Sequence, residues 1–213
     1  MITVKTFVFN MISVNTYLLY DETKEAVIID CGCMYASEEQ SLNNYIIQDG
    51  LILKRLLCTH IHFDHILGNH FIYRTYGITP EAHRIEIELL PSVKDQINSM
   101  KIHLPVQPID ISNYLVENEV INFGGSELVT MLVPGHSPGS LVYYCRKGGV
   151  LISGDTLFKG NIGRADLWGG DHEMLVAAIK DKILSLPDET IVYPGHGPST
   201  TVIEEKLHNP YLL

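Results

Sequence analysis

The segment Thr59-His60-Ile61-His62-Phe63-Asp64-His65 constrains this chain more than any other. It sets three imidazoles and a carboxylate within seven residues. The apolar run Leu56-Leu57-Cys58 precedes it and a helix-like stretch from Ile66 to Tyr76 follows. That context reads as a strand running out into a ligand-bearing turn and then a helix. Residues two apart on an extended chain point the same way, so His60 and His62 can face one point. Asp64 and His65 come where the chain begins to curl and can face a second point nearby. Neutral imidazole suits zinc, iron and nickel, and a carboxylate compensates cationic charge.

Three further segments repeat one design. Val129-Thr130-Met131-Leu132-Val133 ends in Pro134-Gly135-His136, Val150-Leu151-Ile152-Ser153 in Gly154-Asp155, and Ile191-Val192-Tyr193 in Pro194-Gly195-His196. Each is an apolar strand, a glycine that lets the backbone turn and approach closely, and a metal-competent side chain. A single His after Pro-Gly has a plain reading as a turn residue, and a single Asp after Gly as a helix cap. Five histidines and two aspartates that all sit at strand exits point instead to one convergent site. His70, His83, His103, His172 and His208 lack that placement and read as structural or surface residues.

The remaining pattern predicts strands at 2–9, 15–20, 26–30 and 53–58, with further strands at 119–123, 127–133, 140–145, 150–153 and 190–193. A helix after residue 36 is expected to open on a capping box of Ser37 and Gln40 and to stop at Gly50. The helix over 66–76 is stopped by Gly77. A short extended segment covers 78–83. Residues 84–118 are the least legible and suggest one or two short helices and a loop lying over one face. A helix over 172–186 starts at Asp171, carries Leu175, Ile179, Ile183 and Leu186 on one face, and ends at Pro187. A short helix closes the chain at 201–208. No repeat and no linker rich in Pro, Gly or Ser divides the sequence, so residues 1–213 are expected to form a single domain of two packed sheets with helices outside.

Composition narrows the function classes. The hydrophobic share of 46% supports a sizeable core, and no apolar run approaches the ~18 residues of a membrane span. The start Met1-Ile2-Thr3-Val4-Lys5 alternates like a strand and lacks the basic, apolar and small-residue regions of a signal peptide, which predicts a cytoplasmic protein. The net charge of −10 argues against non-specific nucleic-acid binding. Cys31, Cys33, Cys58 and Cys145 lie in or beside apolar runs and read as buried, reduced thiols. The Cys31-Gly32-Cys33 pair has no second thiol pair to complete a metal site.

Taken together, His60-x-His62-x-Asp64-His65 followed by His136, Asp155 and His196 resembles the metallo-β-lactamase superfamily across nearly the whole chain. The resemblance implies an α/β fold, a four-layer αββα sandwich of two mixed β-sheets with the metal site at one edge. It implies that His60, His62 and His136 bind a first metal, that Asp64, His65 and His196 bind a second, and that Asp155 bridges both. Two divalent ions follow, with zinc first and iron or manganese suited to the same donors. Asp64 and Asp155 are then catalytic through the metals they hold, not as free bases. The implied chemistry is hydrolysis, in which a water shared by two metals, its pKa lowered from 15.7 to about 7, attacks a thioester or ester carbonyl.

Within the superfamily, Gly154-Asp155-Thr156-Leu157-Phe158, Gly163-Arg164-Ala165-Asp166, Pro134-Gly135-His136-Ser137-Pro138-Gly139-Ser140 and Tyr193-Pro194-Gly195-His196-Gly197 are similar to the glyoxalase II group, and the ending near Asn209-Pro210 to its small single-domain members. The resemblance implies a small-molecule thioester of the hydroxyacylglutathione type as substrate, with Arg164 as the candidate for a substrate carboxylate. The tyrosines that two-domain members place near the site appear here as Pro198 and Asp166, and their C-terminal helical domain has no counterpart. Glutathione specificity is therefore carried over less fully than the thioester chemistry. Persulfide dioxygenases with a single iron are also similar, but their His-Asp-Tyr after the last ligand stands here as His196-Gly197-Pro198. Other ester or lactone hydrolysis is a further alternative, and both monomer and homodimer are open. Asp30, Thr59 and Ser137 are candidates to orient the ligating imidazoles.

Overall fold

The computed structural model describes residues 1–213 except 103, 105 and 112, so His103 and Pro105 lie outside the described residues. The first half runs β1 (Thr3–Phe9), β2 (Val14–Tyr20), β3 (Glu25–Ile29), α1 (Ala36–Gln48), β4 (Ile52–Leu57), α2 (Phe63–Ile66), α3 (Asn69–Tyr76), β5 (Pro80–His83), α4 (Arg84–Leu89), α5 (Val93–Ser99) and β6 (Asn113–Leu115). The second half runs β7 (Val120–Phe123), β8 (Ser126–Leu132), β9 (Leu141–Cys145), β10 (Val150–Gly154), the small hairpin β11 (Leu157–Phe158) and β12 (Asn161–Ile162), α6 (His172–Ala178), β13 (Ile191–Pro194), β14 (Thr200–Thr201) and α7 (Val202–His208). One sheet has the order β1-β2-β3-β4-β5-β6 and the other β14-β13-β10-β9-β8-β7. Both are mixed. The first pairs antiparallel through β3 and parallel from β3 to β6. The second is antiparallel except where β10 meets β13.

Strands buried on both faces build three apolar layers, and this is why they read as nearly continuous apolar runs. Along β3, Val27 and Ile29 face the space between the sheets, while Ala26 and Ile28 face α1 and α3 through Leu42, Ile46 and Ile72. Along β10, Val150 and Ile152 face between the sheets, while Leu151 faces Leu175 of α6 and Ile179 just beyond it. Each fully buried aliphatic side chain of this kind contributes ~1.5–3 kcal/mol relative to exposure. The result is the αββα sandwich that the sequence predicted. Among the described residues, no helix is long and apolar enough to cross a membrane. All four cysteines are buried and free.

Several local expectations are corrected. Helix α1 starts at Ala36, two residues earlier than the Ser37–Gln40 box requires. Its first turn is held by Glu38, whose carboxylate accepts from the amides of Met34 at 2.7 Å and Tyr35 at 3.1 Å. The expected helix over 66–76 is two helices, with Asp64 and His65 inside the first. The break falls at Gly68, whose amide donates to the Cys31 carbonyl at 2.8 Å. A Cβ there would lie 2.4 Å from Cys33 Sγ, so close packing against the Cys31-Gly32-Cys33 loop interrupts the helix. The helix from Asp171 widens into a π-turn over Ile179–Ile183 and is not a regular helix to Leu186.

Candidate metal centre

The ends of β4, β8, β10 and β13 meet at one rim, although β4 belongs to one sheet and the others to the second. Main-chain bonds stitch the two sheets together there. Leu141 donates to the Thr59 carbonyl at 2.8 Å and Asn15 to the Gly195 carbonyl at 2.7 Å. The Asn15 side chain then grips the carbonyls of Pro194 and Gly197, each at 2.9 Å. Two glycines are dictated by contact. A Cβ at Gly195 would sit 2.1 Å from Asp155 Oδ1 and 2.7 Å from His65 Cε1. Gly154 has φ +50 and presses on the Thr59 side chain, so a larger residue would be both strained and crowded.

Three imidazoles converge first. His136 Nε2 lies 2.9 Å from His62 Nδ1 and 3.3 Å from His60 Nε2. All three rings are buried. A second set faces them. His65 Nε2 lies 3.6 Å from Asp64 Oδ2 and 3.4 Å from Asp155 Oδ1, and His196 Nε2 lies 3.3 Å from Asp64 Oδ2. Asp155 stands between the sets, with Oδ2 3.8 Å from His136 Nε2 and 3.7 Å from His196 Nε2. All seven residues singled out at strand exits are thus brought together. Among the described residues, His70, His83, His172 and His208 belong to no ligand cluster. His83 instead caps α4, its Nδ1 accepting from the Ile85 amide.

The surrounding hydrogen bonds assign the tautomers. The Thr59 hydroxyl donates to Asp30 Oδ2 at 2.7 Å, so at 2.9 Å it accepts the proton on His60 Nδ1. His65 Nδ1 donates to the same Asp30 oxygen at 3.0 Å. His136 Nδ1 donates to the Arg164 carbonyl at 2.8 Å, and His196 Nδ1 to the Ser13 carbonyl at 3.3 Å. Every one of these four rings therefore turns its Nε2 to the centre, where it is a lone pair whenever the ring is neutral. Converging lone pairs repel unless a cation lies among them. His65 Nε2 and Asp155 Oδ1 are also buried without a hydrogen-bond partner. The donor set fits divalent metal ions, which satisfy both conditions at once.

Electrostatics separate the two sets. Burial, reinforced by the neighbouring imidazoles, pushes His60 well below the usual histidine range and His62 down to about 3. Burial also lowers His136. Burial would lower His65 too, but the carboxylates of Asp155, Asp64 and Asp30 outweigh it and hold His65 well above its ordinary value. Burial would lower His196 as well, but its bond to Asp64 together with the Asp155 and Asp64 charges outweighs it and raises His196. Burial would raise Asp155 and Asp64, but in both the His65 charge leads the effects that hold them below the usual carboxylate range.

A cleft of about 210 Å³ opens over these residues, walled by Phe63, Met100, Ile102, Leu167 and Trp168. The Trp168 ring stands edge-on to His62, with centroids 6.1 Å apart. Arg164 lines the same cleft, but its guanidinium forks onto Asp166 at 2.7 and 2.8 Å, with both side chains more than half exposed. Ser137 does not orient a ligating imidazole as anticipated. Its hydroxyl bonds to Glu86 Oε1 at 2.7 Å and to Ser140. Asp30 and Thr59 do touch ligand rings. Glu86 and Gln96 were missed by sequence reasoning. Both are fully buried beneath the ligand loop, and no local signal marks them, because α4 and α5 carry other polar residues at exposed positions.

Residues 10–196 match the family described as the Metallo-beta-lactamase superfamily, and the chain belongs to it. The fold and the His/Asp cluster agree with a metal-dependent hydrolase of that superfamily. The chain is 38% identical over 204 residues to "Probable metallo-hydrolase YqgX" of Bacillus subtilis, covering 94% of this chain and 93% of the relative. It is 34% identical over 209 residues to "Hydroxyacylglutathione hydrolase GloC" of Haemophilus influenzae, covering 93% and 92%. Among solved structures, that of BLEG-1 B3 metallo-β-lactamase superposes with a TM-score of 0.88 at 36% identity, covering 99% of both chains. TTHA1623 in a di-iron-bound form superposes with a TM-score of 0.85 at 32% identity, covering 98% of this chain and all of the other.

Proposed function

We propose that this protein hydrolyses thioesters of the hydroxyacylglutathione type with two divalent metal ions. The observation that carries the reading is two convergent ligand sets sharing Asp155 beneath an open cleft. A purely structural site would close around one ion. The likeness to GloC supports the substrate class. Zinc is the first choice of metal; iron and manganese suit the same donors, and the TTHA1623 structure holds two irons.

Two ions bound there supply Lewis acidity and a water acidic enough to act as nucleophile near neutral pH. The chain supplies the rest. His60, His62 and His136 would hold one ion through neutral nitrogens, and Asp64, His65 and His196 would hold the other. Asp155, standing between the two sets, would serve both. Asp30 sets the direction of two rings, one of them through Thr59. The apolar wall of Phe63, Leu167 and Trp168 keeps bulk water from the reacting carbonyl. Arg164 binds a substrate carboxylate in competition with Asp166.

The test joins metal content to activity on freshly purified protein, offering S-lactoylglutathione and, separately, glutathione persulfide with oxygen uptake recorded. About two metals per chain with thioester cleavage is the expected result. One iron per chain with oxygen consumption would make the protein a dioxygenase. Two metals with neither activity would reject glutathione as the carrier.

A further inference from the structure

We propose that Glu86 and Gln96 form a two-sided clamp on the Ile61 peptide groups that sets the spacing of the His60–His62 pair and ties it to the His136 loop. Ile61 lies between two ligands, so its main chain decides how their rings diverge. Its amide donates to Glu86 Oε2 at 3.0 Å, and its carbonyl accepts from Gln96 Nε2 at 3.1 Å. Gln96 also accepts from the Phe63 amide at 3.0 Å and donates to the Pro91 carbonyl at 3.0 Å. The other oxygen of Glu86 accepts from the Gly139 amide at 2.6 Å and the Ser137 hydroxyl at 2.7 Å. One carboxylate thus joins the loop carrying His60 and His62 to the loop carrying His136. Both side chains are 0% exposed.

Burying a carboxylate is costly unless both oxygens are hydrogen-bonded, and here three donors from two loops reach them. A hydrophobic residue on α4 would fill the same space without joining the loops. The geometry is also asymmetric. Glu86 bonds only to the loops that carry His60, His62 and His136, so it is a positioning residue for the three-imidazole half alone. Gln96 is less selective, because the Phe63 amide it holds lies between His62 and Asp64. This gives part of the 84–118 segment a role: α4 and α5 carry the clamp.

Glu86→Gln is the sharp test. An amide keeps one acceptor, so it can hold the 137–139 side or the Ile61 amide, but at the other it turns an N–H toward a donor. The inference rests on His60, His62 and His136 binding one ion, and His136→Ala checks that separately. That variant should lose one of two zinc equivalents; if it keeps both, the triad reading fails whatever Glu86 does. With the triad established, chelator competition on zinc-loaded Glu86→Gln should become biphasic. One equivalent should leave at about 10–100-fold lower chelator, the size expected of groups that orient ligands, and the other should leave as in the wild type. Cobalt substitution should shift the visible spectrum of the same half. The mispaired amide should lower the melting point of the metal-free protein as well, so the diagnostic is that one equivalent is lost selectively, which a general loss of stability would not produce. Unchanged metal release, or both equivalents leaving earlier to the same extent, would overturn the clamp. Should Glu86→Gln fail to fold, Gln96→Met decides alone. It keeps the length and removes the bonds, and should weaken the equivalent held by the three imidazoles several-fold and more than the other; no change, or a larger loss at the other equivalent, would overturn the proposal.

Discussion

The two halves of the metal centre meet at Asp155 but are built on different principles. The half of His60, His62 and His136 is all imidazole, buried, and held neutral by burial and mutual repulsion. The half of Asp64, His65 and His196 mixes ionised carboxylates with imidazoles that those carboxylates charge, and His196 remains 25% exposed. The supports differ as well. The neutral half is gripped from beneath by two buried side chains of α4 and α5. The charged half is fixed by Asp30 on His65, by the Ser13 carbonyl on His196 and by the Asn10 amide, which donates to the Asp64 carbonyl at 3.0 Å. Neutral donors offer lone pairs with no proton to displace. Charged pairs satisfy one another, and a metal must compete with that satisfaction. Similar ligands on one rim thus come with different proton and metal affinities.

The largest break in the comparison should come from a ligand. His62→Ala should lose one metal equivalent and lower thioester hydrolysis by at least about 100-fold, beyond the range typical of groups that merely orient ligands. Metal analysis and initial rates would check it, and activity retained within a few-fold would contradict the ligand role. Asp30→Asn should touch both halves, since the carboxylate orients His65 directly and His60 through Thr59. Metal affinity should fall about 10–100-fold in both phases of a chelator titration, whereas Thr59→Val should move only the phase of the neutral half. A single-phase effect in Asp30→Asn would contradict this.

Acidity should separate the halves without mutation. A raised pKa means that a proton is held more tightly and competes with metal at higher pH. His65 and His196 are raised, while His60, His62 and His136 are lowered. As pH falls from 7, the charged half should release its ion first and the neutral half only in stronger acid. Metal content after dialysis at stepped pH would show two losses in that order; the reverse order would refute the assignment. The smallest effect belongs to the rim of the cleft. Asp166→Asn frees Arg164 from an exposed, solvent-screened pair. It should lower KM for a carboxylate-bearing substrate a few-fold, with kcat and metal content unchanged. An unmoved KM would remove Arg164 from substrate binding.

Much of this was legible in the chain. Strands buried on both faces announced themselves as apolar runs. Glycine before His136, Asp155 and His196 marked strand exits, because close approach there admits no side chain. Gly195 against Asp155 shows the reason directly. Asp30 and Thr59 were legible as polar residues at the ends of buried strands. Ser137 was not read correctly, since a hydroxyl beside a ligand in sequence points elsewhere when its neighbour turns. The break at Gly68 was hidden because its cause, the sulfurs of Cys31 and Cys33, lies more than thirty residues away.

The sequence alone determined which residues meet at the rim, because alternation along strands and glycine at their ends are local properties of the backbone. Only the tertiary structure decided that one ligand set is neutral and the other charged. Proton affinity depends on burial and on charges brought near from distant segments, and neither is written in local spacing. The same holds for Glu86 and Gln96, whose donors and acceptors are main-chain groups of other loops. No motif can encode them, because the partner groups occur in every residue and become specific only by where the fold places them.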